Sequence, residues 1–198
     1  MNVEPTTLDG EYVRLEPLSV EDHLDGLQTA GADPDIFRWF ADDYSTPDAM
    51  RAFVEEALSA QEDGTSLPFA TVRQQTGEVI GSTRFCAIRP PNRSVEIGWT
   101  WVTPDQQRTP ANTEAKYLML RHAFEHWDCV RVQFETAARN QPARDALDRI
   151  GATEEGILRK HMLIHGEPQD SVFCSILDSE WDAVEADLAA KLDRPFPE

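Results

Sequence analysis

The sequence predicts a mixed α+β domain, and three observations carry that prediction. Segments of two-residue hydrophobic period alternate with segments of helical period, strand-like runs follow one another as hairpins mid-chain, and one strand from Ser94 runs through a short polar loop straight into a helix. At 198 residues the chain has the length of one domain, residues 1–198, and can bury a core without disulfide or metal support.

Residues 12–15 read as a short first strand. Ser19 then caps a helix whose first turn holds Glu21 and Asp22, acidic residues suited to the positive end of its dipole. Phe37, Trp39 and Phe40 form an aromatic cluster closed by a turn over residues 42–46. Thr46 caps a second helix with Pro47 at its first position. Met50, Phe53, Val54, Ala57 and Leu58 recur there at helical spacing, and Gly64 stops it. Strands over residues 67–73 and 79–88 join at Thr76-Gly77, and Pro90-Pro91-Asn92 turns into the central strand. In that strand Val95, Ile97, Trp99 and Trp101 alternate with Glu96, Gly98 and Thr100, which predicts one shared face for the first set.

Thr103, Pro104 and Asp105 break the strand, residues 107–112 form a polar loop, and a helix is predicted from Thr113. Val130, Val132, Phe134 and Thr136 alternate with Arg131, Gln133 and Glu135 in the next strand. A helix over residues 141–150 ends at Gly151, and strands over residues 153–164 and 171–176 flank a turn at His165-Gly166. Ser179 caps a last helix carrying Trp181, Val184, Leu188 and Leu192.

Charge and composition exclude some functions. A net charge of -18, from 36 acidic and 18 basic residues, opposes an extended nucleic-acid surface and favours cationic partners. Cys86, Cys129 and Cys174 are odd in number and widely spaced, which fits neither a disulfide framework nor a zinc site. His122 and His126 are four apart on a helix, but no protease-like Glu accompanies them, so no metal is expected. No run reaches a membrane span, and the N-terminal residues lack signal-peptide character; a cytoplasmic protein with no membrane partner is expected.

A strand that delivers a polar loop onto a helix N-terminus aims unpaired N–H groups and a positive dipole end at one point, a ready phosphate site. The loop resembles the acyl-CoA loop of the GNAT superfamily of N-acetyltransferases, Q/R-x-x-G-x-G/A. Gln107 matches the first position, Pro110 stands where the first Gly is expected, and Asn112 replaces the last Gly or Ala. NRSVEIGW before the loop, NTEAKYLMLRHAF after it, VQFETAARN at 132–140, RIGATEEGILRKHM at 149–162 and LDGEYVRLEPL at 8–18 resemble the RimJ/RimL branch, the ribosomal-protein N-terminal acetyltransferases and their relatives.

The resemblance implies the GNAT fold: a mixed, mostly antiparallel central sheet of about seven strands with helices on both faces. In that fold the strands carrying Glu96 and Phe134 splay, and the pantetheine arm enters the gap. It implies acetyl-CoA as acyl donor, a small-molecule or peptide amine as acceptor, and a possible homodimer. The residues at cofactor-binding positions are Trp101 and Val102, Gln107, Arg108, Thr109, Ala111, Asn112 and Thr113, with Asn140 and Arg144. Trp101 and Val102 are read as the bulge whose backbone N–H serves the oxyanion, residues 107–113 as the pyrophosphate loop, and Asn140 as the pantetheine contact.

Acetyl transfer needs a neutral amine, and Glu96, sharing its face with Gly98, is the candidate base. Each assignment has a structural alternative. Glu96 could pair with Arg93 or Arg131, Trp99 and Trp101 could be core, Asn140 could cap the helix before Gln141 and Pro142, and Arg144 could pair with Asp145 or Asp148. His161 could serve an amine site or simply hold a partner. The family places a general acid at the positions of Ala143 or Leu147, neither of which donates a proton, so a non-catalytic acyl-CoA sensor is the rival reading.

Overall fold

A computed structural model describes residues 1–193. The chain runs β1 (Leu8–Asp9), β2 (Val13–Pro17), α1 (Val20–Ala30), α2 (Pro47–Glu62), β3 (Leu67–Arg73), β4 (Val79–Arg89), β5 (Ser94–Val102), α3 (Pro110–Arg121), β6 (Arg131–Ala137), α4 (Gln141–Arg149), β7 (Thr153–Ile164), β8 (Glu167–Leu177) and α5 (Asp178–Leu192). One sheet of eight strands results, in the order β1-β2-β3-β4-β5-β6-β8-β7. Every neighbouring pair is antiparallel except β5 and β6, whose parallel arrangement follows from the crossover through α3. The eighth strand beyond the expected seven is the two-residue β1, too short for any periodicity to show.

Two cores lie on opposite faces of this sheet. On one, Leu118 and Met119 of α3 and Trp181 and Leu188 of α5 meet Val95, Ile97, Val132 and Phe134. On the other, Leu24 and Leu27 of α1 and Phe53 and Val54 of α2 meet Ala70, Val72 and Trp101. The helices form where caps and periodicity coincide. Ser19 Oγ accepts from the N–H of Asp22, and Thr46 Oγ1 from that of Ala49.

Three sequence expectations need correction. The alternation of β5 is broken by a bulge: Trp99 has φ 53°, and Trp99 and Thr100 together face the single residue Thr83 between the pairs Arg84↔Gly98 and Ser82↔Trp101. The extra residue sends Trp101 to the α1/α2 face while Val95 and Ile97 stay against α3, so the four do not share a face. Second, α3 begins at Pro110 rather than Thr113, because Thr109 is its cap. Third, Ser179 lies inside α5. That helix starts at Asp178 with Leu177 as its cap, two residues before the expected one, and the Glu180 carboxylate accepts from the N–H of Leu177.

All three cysteines are free thiols. Among the described residues no helix is long and apolar enough to cross a membrane, and no group of three or more His, Cys, Asp or Glu side chains could hold a metal ion. His122 and His126 stack ring on ring at 5.1 Å, and burial pulls the His122 imidazole down to about 4.

Candidate active site

The parallel ladder between β5 and β6 has three registered pairs, Ser94↔Arg131, Val95↔Val132 and Glu96↔Gln133, and no further ones. Beyond Glu96 the strands separate, as the resemblance implies. The bulge at Trp99 bends β5 away from its neighbour at this point. A bulky residue at positive φ is strained, and Trp99 is held there by the Arg84 guanidinium 4.0 Å from its ring centroid. Arg84 also lies 5.0 Å from the Phe53 ring and pairs with Glu56 at 3.3 Å.

The separation opens a cavity of about 370 Å³ through the sheet. Glu96 and Gly98 line it from β5, Phe134 and Glu135 from β6, Asn112 and Lys116 from α3, Asn140, Ala143 and Leu147 from α4, and Trp39, Phe40, Met162 and Leu163 at the outer mouth. Three of its lining side chains titrate: Glu96, Glu135 and Lys116.

Glu96 stands where the ladder ends. Its Oε2 accepts from Gln133 Nε2 at 2.7 Å and its Oε1 from the Cys86 thiol at 3.6 Å. Burial raises its pKa above the usual carboxylate range, and the nearby Glu135 adds to this, against the lowering effect of the Gln133 and Cys86 bonds. Arg93 pairs instead with Asp128 and Arg131 with Glu155, so neither arginine neutralises Glu96. Gly98 keeps the space beside it open: a Cβ there would sit 3.2 Å from Glu96 Oε1 and 3.3 Å from Cys86 Sγ. Glu135 accepts from His161 Nδ1 at 2.8 Å, so His161 holds a cavity carboxylate.

The N-terminal end of α3 opens toward the same cavity. Thr109 Oγ1 accepts from the N–H of Ala111 and donates to the carbonyl of Gln106. Arg108 takes a left-handed turn with φ 63°. The Asn112 Oδ1 atom is buried with no hydrogen-bond partner while its residue lines the cavity. An orphaned buried acceptor costs free energy that a bound donor would recover.

The acetyltransferase (GNAT) domain model matches residues 13–153. The chain belongs to the GNAT acetyltransferase family. It is 26% identical to the probable N-acetyltransferase YjcK of Bacillus subtilis (strain 168) over 178 residues, 87% of this chain and 98% of that protein. A GCN5-related N-acetyltransferase from Brucella melitensis superposes with a TM-score of 0.90 at 32% identity, covering 97% of this chain and 87% of that one. Mycobacterium smegmatis RimJ, solved in complex with CoA-disulfide, superposes at 0.78 and 21% identity over 90% of this chain and 88% of its own, a likeness of fold.

Within this GNAT domain the sequence-predicted residues divide. Glu96, Asn112 and Asn140 line the cavity together. Asn140 also caps α4, its Oδ1 accepting from the N–H of Ala143 and its Nδ2 donating to Thr136 Oγ1, so the capping alternative holds. Gln107, Arg108 and Thr109 flank the α3 terminus, but the N–H of Gln107 bonds to the Pro104 carbonyl. Ala111 and Thr113 are buried. As the fourth helical position, Thr113 closes the first helical bond onto the cap carbonyl.

Trp101 and Val102 are displaced from the reading given them. Trp101 is buried in the α1/α2 core and both residues are in register with Ser82 and Gly81; the bulge lies at Trp99 and Thr100. Arg144 is engaged within the protein. It pairs with Glu154 at 2.8 Å and donates to the Ala138 carbonyl, not to Asp145 or Asp148.

Sequence reading missed Lys116. It sits one turn beyond Asn112 on the same helix face, and that i,i+4 spacing was its only signal. The lysine is buried, and its Nζ donates to Thr100 Oγ1 at 2.5 Å and Thr83 Oγ1 at 3.3 Å. Burial pulls its pKa down to about 7.

Proposed function

We propose that the protein is an acetyl-CoA-dependent N-acetyltransferase acting on a primary amine, either a protein N-terminus or a small molecule. The observation that carries this reading is the cavity through the sheet with Glu96, half-buried and raised in pKa, at the apex of the β5–β6 separation. Acetyl-CoA supplies the acetyl group as an activated thioester. The residues present suit it: the strand gap admits a narrow chain, Asn112 Oδ1 lacks a donor, and at the α3 terminus the backbone N–H groups of Arg108, Thr109 and Asn112 are offered to a pyrophosphate.

An N-terminal ammonium has a reference pKa near 8 and a lysine near 10.4, so the acceptor arrives charged. Glu96 and Glu135 draw that cation to the mouth, and Trp39 and Phe40 offer ring faces beside it. Glu96 then removes the proton directly or through one water. In this reading the oxyanion donor is a backbone N–H of the Trp99–Thr100 bulge, which lines the cavity. The RimJ/RimL assignment rests on the sequence stretches around Glu96, α3 and Asn140, with the RimJ structure agreeing in fold.

A calorimetric titration with acetyl-CoA, paired with thermal unfolding, tests the donor assignment. Saturable binding is expected, and at 100 times the dissociation constant it adds about 2.7 kcal/mol to stability. Absence of heat together with an unchanged melting temperature overturns the assignment.

A further inference from the structure

Lys116 is a buried amine that the reaction as described leaves without a task. It lies on the α3 face of the sheet with Thr100, whereas Glu96 and its partner Gln133 point to the opposite face, on alternate positions from Val95, Ile97, Val132 and Phe134. The cavity therefore has carboxylates toward one face and a single amine toward the other. No carboxylate pairs with Lys116 among the described residues; two threonine hydroxyls accept from it. An ammonium has three donors, so one is left over.

A departing thiolate needs a proton, and Ala143 and Leu147, which line the same cavity from α4, have none to give. We propose that Lys116 is the proton donor to the sulfur that leaves when the thioester is cleaved, an assignment resting on the acetyl-CoA reading above. The acceptor nitrogen forms the new C–N bond, the C–S bond breaks with its electron pair on sulfur, and the Lys116 N–H bond delivers its proton to that pair. Lys116 is left neutral and regains a proton from water after the products depart. Glu96 passes the ammonium proton on to water before the attack and then takes the second proton, which the acceptor nitrogen sheds as the C–N bond forms. Burial aids the transfer: an acid pulled down to about 7 gives its proton downhill to a thiolate of about 8.5. Titratable groups around the amine are Cys86 of β4, itself bonded to Glu96 of β5, and Glu135 of β6 across the cavity.

The chain has three lysines, Lys116, Lys160 and Lys191, so side-chain NMR of lysine-labelled protein resolves Lys116 directly. Lys160→Arg and Lys191→Arg assign it by elimination without disturbing the core. The titration of Lys116 is followed in the free protein, with CoA, and with desulfo-CoA, which differs only in lacking the sulfur. A two-step titration with CoA and a single step with desulfo-CoA is expected, because only the thiol couples to the amine. Identical titrations with both bound ligands overturn the proposal, as does acetylation of Lys116 itself on incubation with acetyl-CoA. Failure of CoA to shift any resonance overturns the acetyl-CoA reading instead. In turnover, Lys116→Met lowers kcat by about 100-fold and removes its alkaline limb. Lys116→Arg keeps the charge but gives up no proton, and does not restore the rate. A Lys116→Met enzyme with wild-type kcat also overturns the proposal.

Discussion

Gln133 Nε2 donates to Glu96 Oε2 at 2.7 Å, and these two residues are the last registered pair before β5 and β6 part. The hydrogen bond thus closes the ladder and orients the carboxylate at the apex of the cavity.

Glu96→Gln is expected to lower turnover by about 100-fold while leaving acetyl-CoA affinity nearly intact. Because the pKa of Glu96 is raised, wild-type activity falls as pH drops through a value above 4.5, where the base becomes protonated. Gln133→Leu removes a bond that lowers this pKa, so the acid limb moves to higher pH. Steady-state kinetics across pH checks both. An unmoved acid limb in Gln133→Leu contradicts the assigned role of that bond.

Pro110→Gly is expected to destabilise the fold by a few tenths to about 1 kcal/mol without improving acetyl-CoA affinity. In the loop pattern proline stands in for a phosphate-binding glycine, which suggests that a glycine there would bind more tightly. In the fold it is the first residue of α3, where φ is pre-set and the missing N–H would have no helical partner. Thr109→Ala, which removes the cap, costs about 1 kcal/mol. Denaturant unfolding and calorimetry of the two variants decide; a tighter-binding Pro110→Gly contradicts this reading.

Lys116 makes stability depend on pH. Its folded pKa of about 7 lies below the ordinary 10.5, so above pH 7 the unfolded chain holds a proton that the folded chain has released. Stability therefore rises with pH from about 7 toward 10.5, by up to about 1.4 kcal/mol per unit. Half-buried Cys86, whose thiol is pushed well above its ordinary value by burial, opposes this at the alkaline end, so the comparison belongs below pH 9. Lys116→Met is expected to be more stable than wild type at neutral pH and to lose this slope. A variant with the wild-type slope would show that another group causes it.

The sheet, its hairpins and most helix boundaries were legible because alternation, caps and turn residues are local signals. The place of Glu96 in the cavity was legible as well, from its alternation with Val95 and Ile97, from Gly98 beside it and from the family resemblance of that stretch. Other features depend on distant partners. The bulge at Trp99 is packed by Arg84 of the neighbouring β4 and Phe53 of α2, and a period-two reading carries straight through it. Lys116 reads as a helix-surface lysine until α3 is laid on the sheet and the threonines of β4 and β5 enclose it. The pairing of Arg144 with Glu154 depends on how α4 meets β7, which spacing does not encode.

Acetyl transfer to a primary amine is measured directly as free-thiol release from acetyl-CoA with a panel of peptides, free amino acids, polyamines and aminoglycoside-like amines. At least one cationic amine is expected to release thiol stoichiometrically with an acetylated product seen by mass spectrometry, and Glu96→Gln to suppress both. A protein that binds acetyl-CoA yet leaves every amine in such a panel unacetylated would contradict the account.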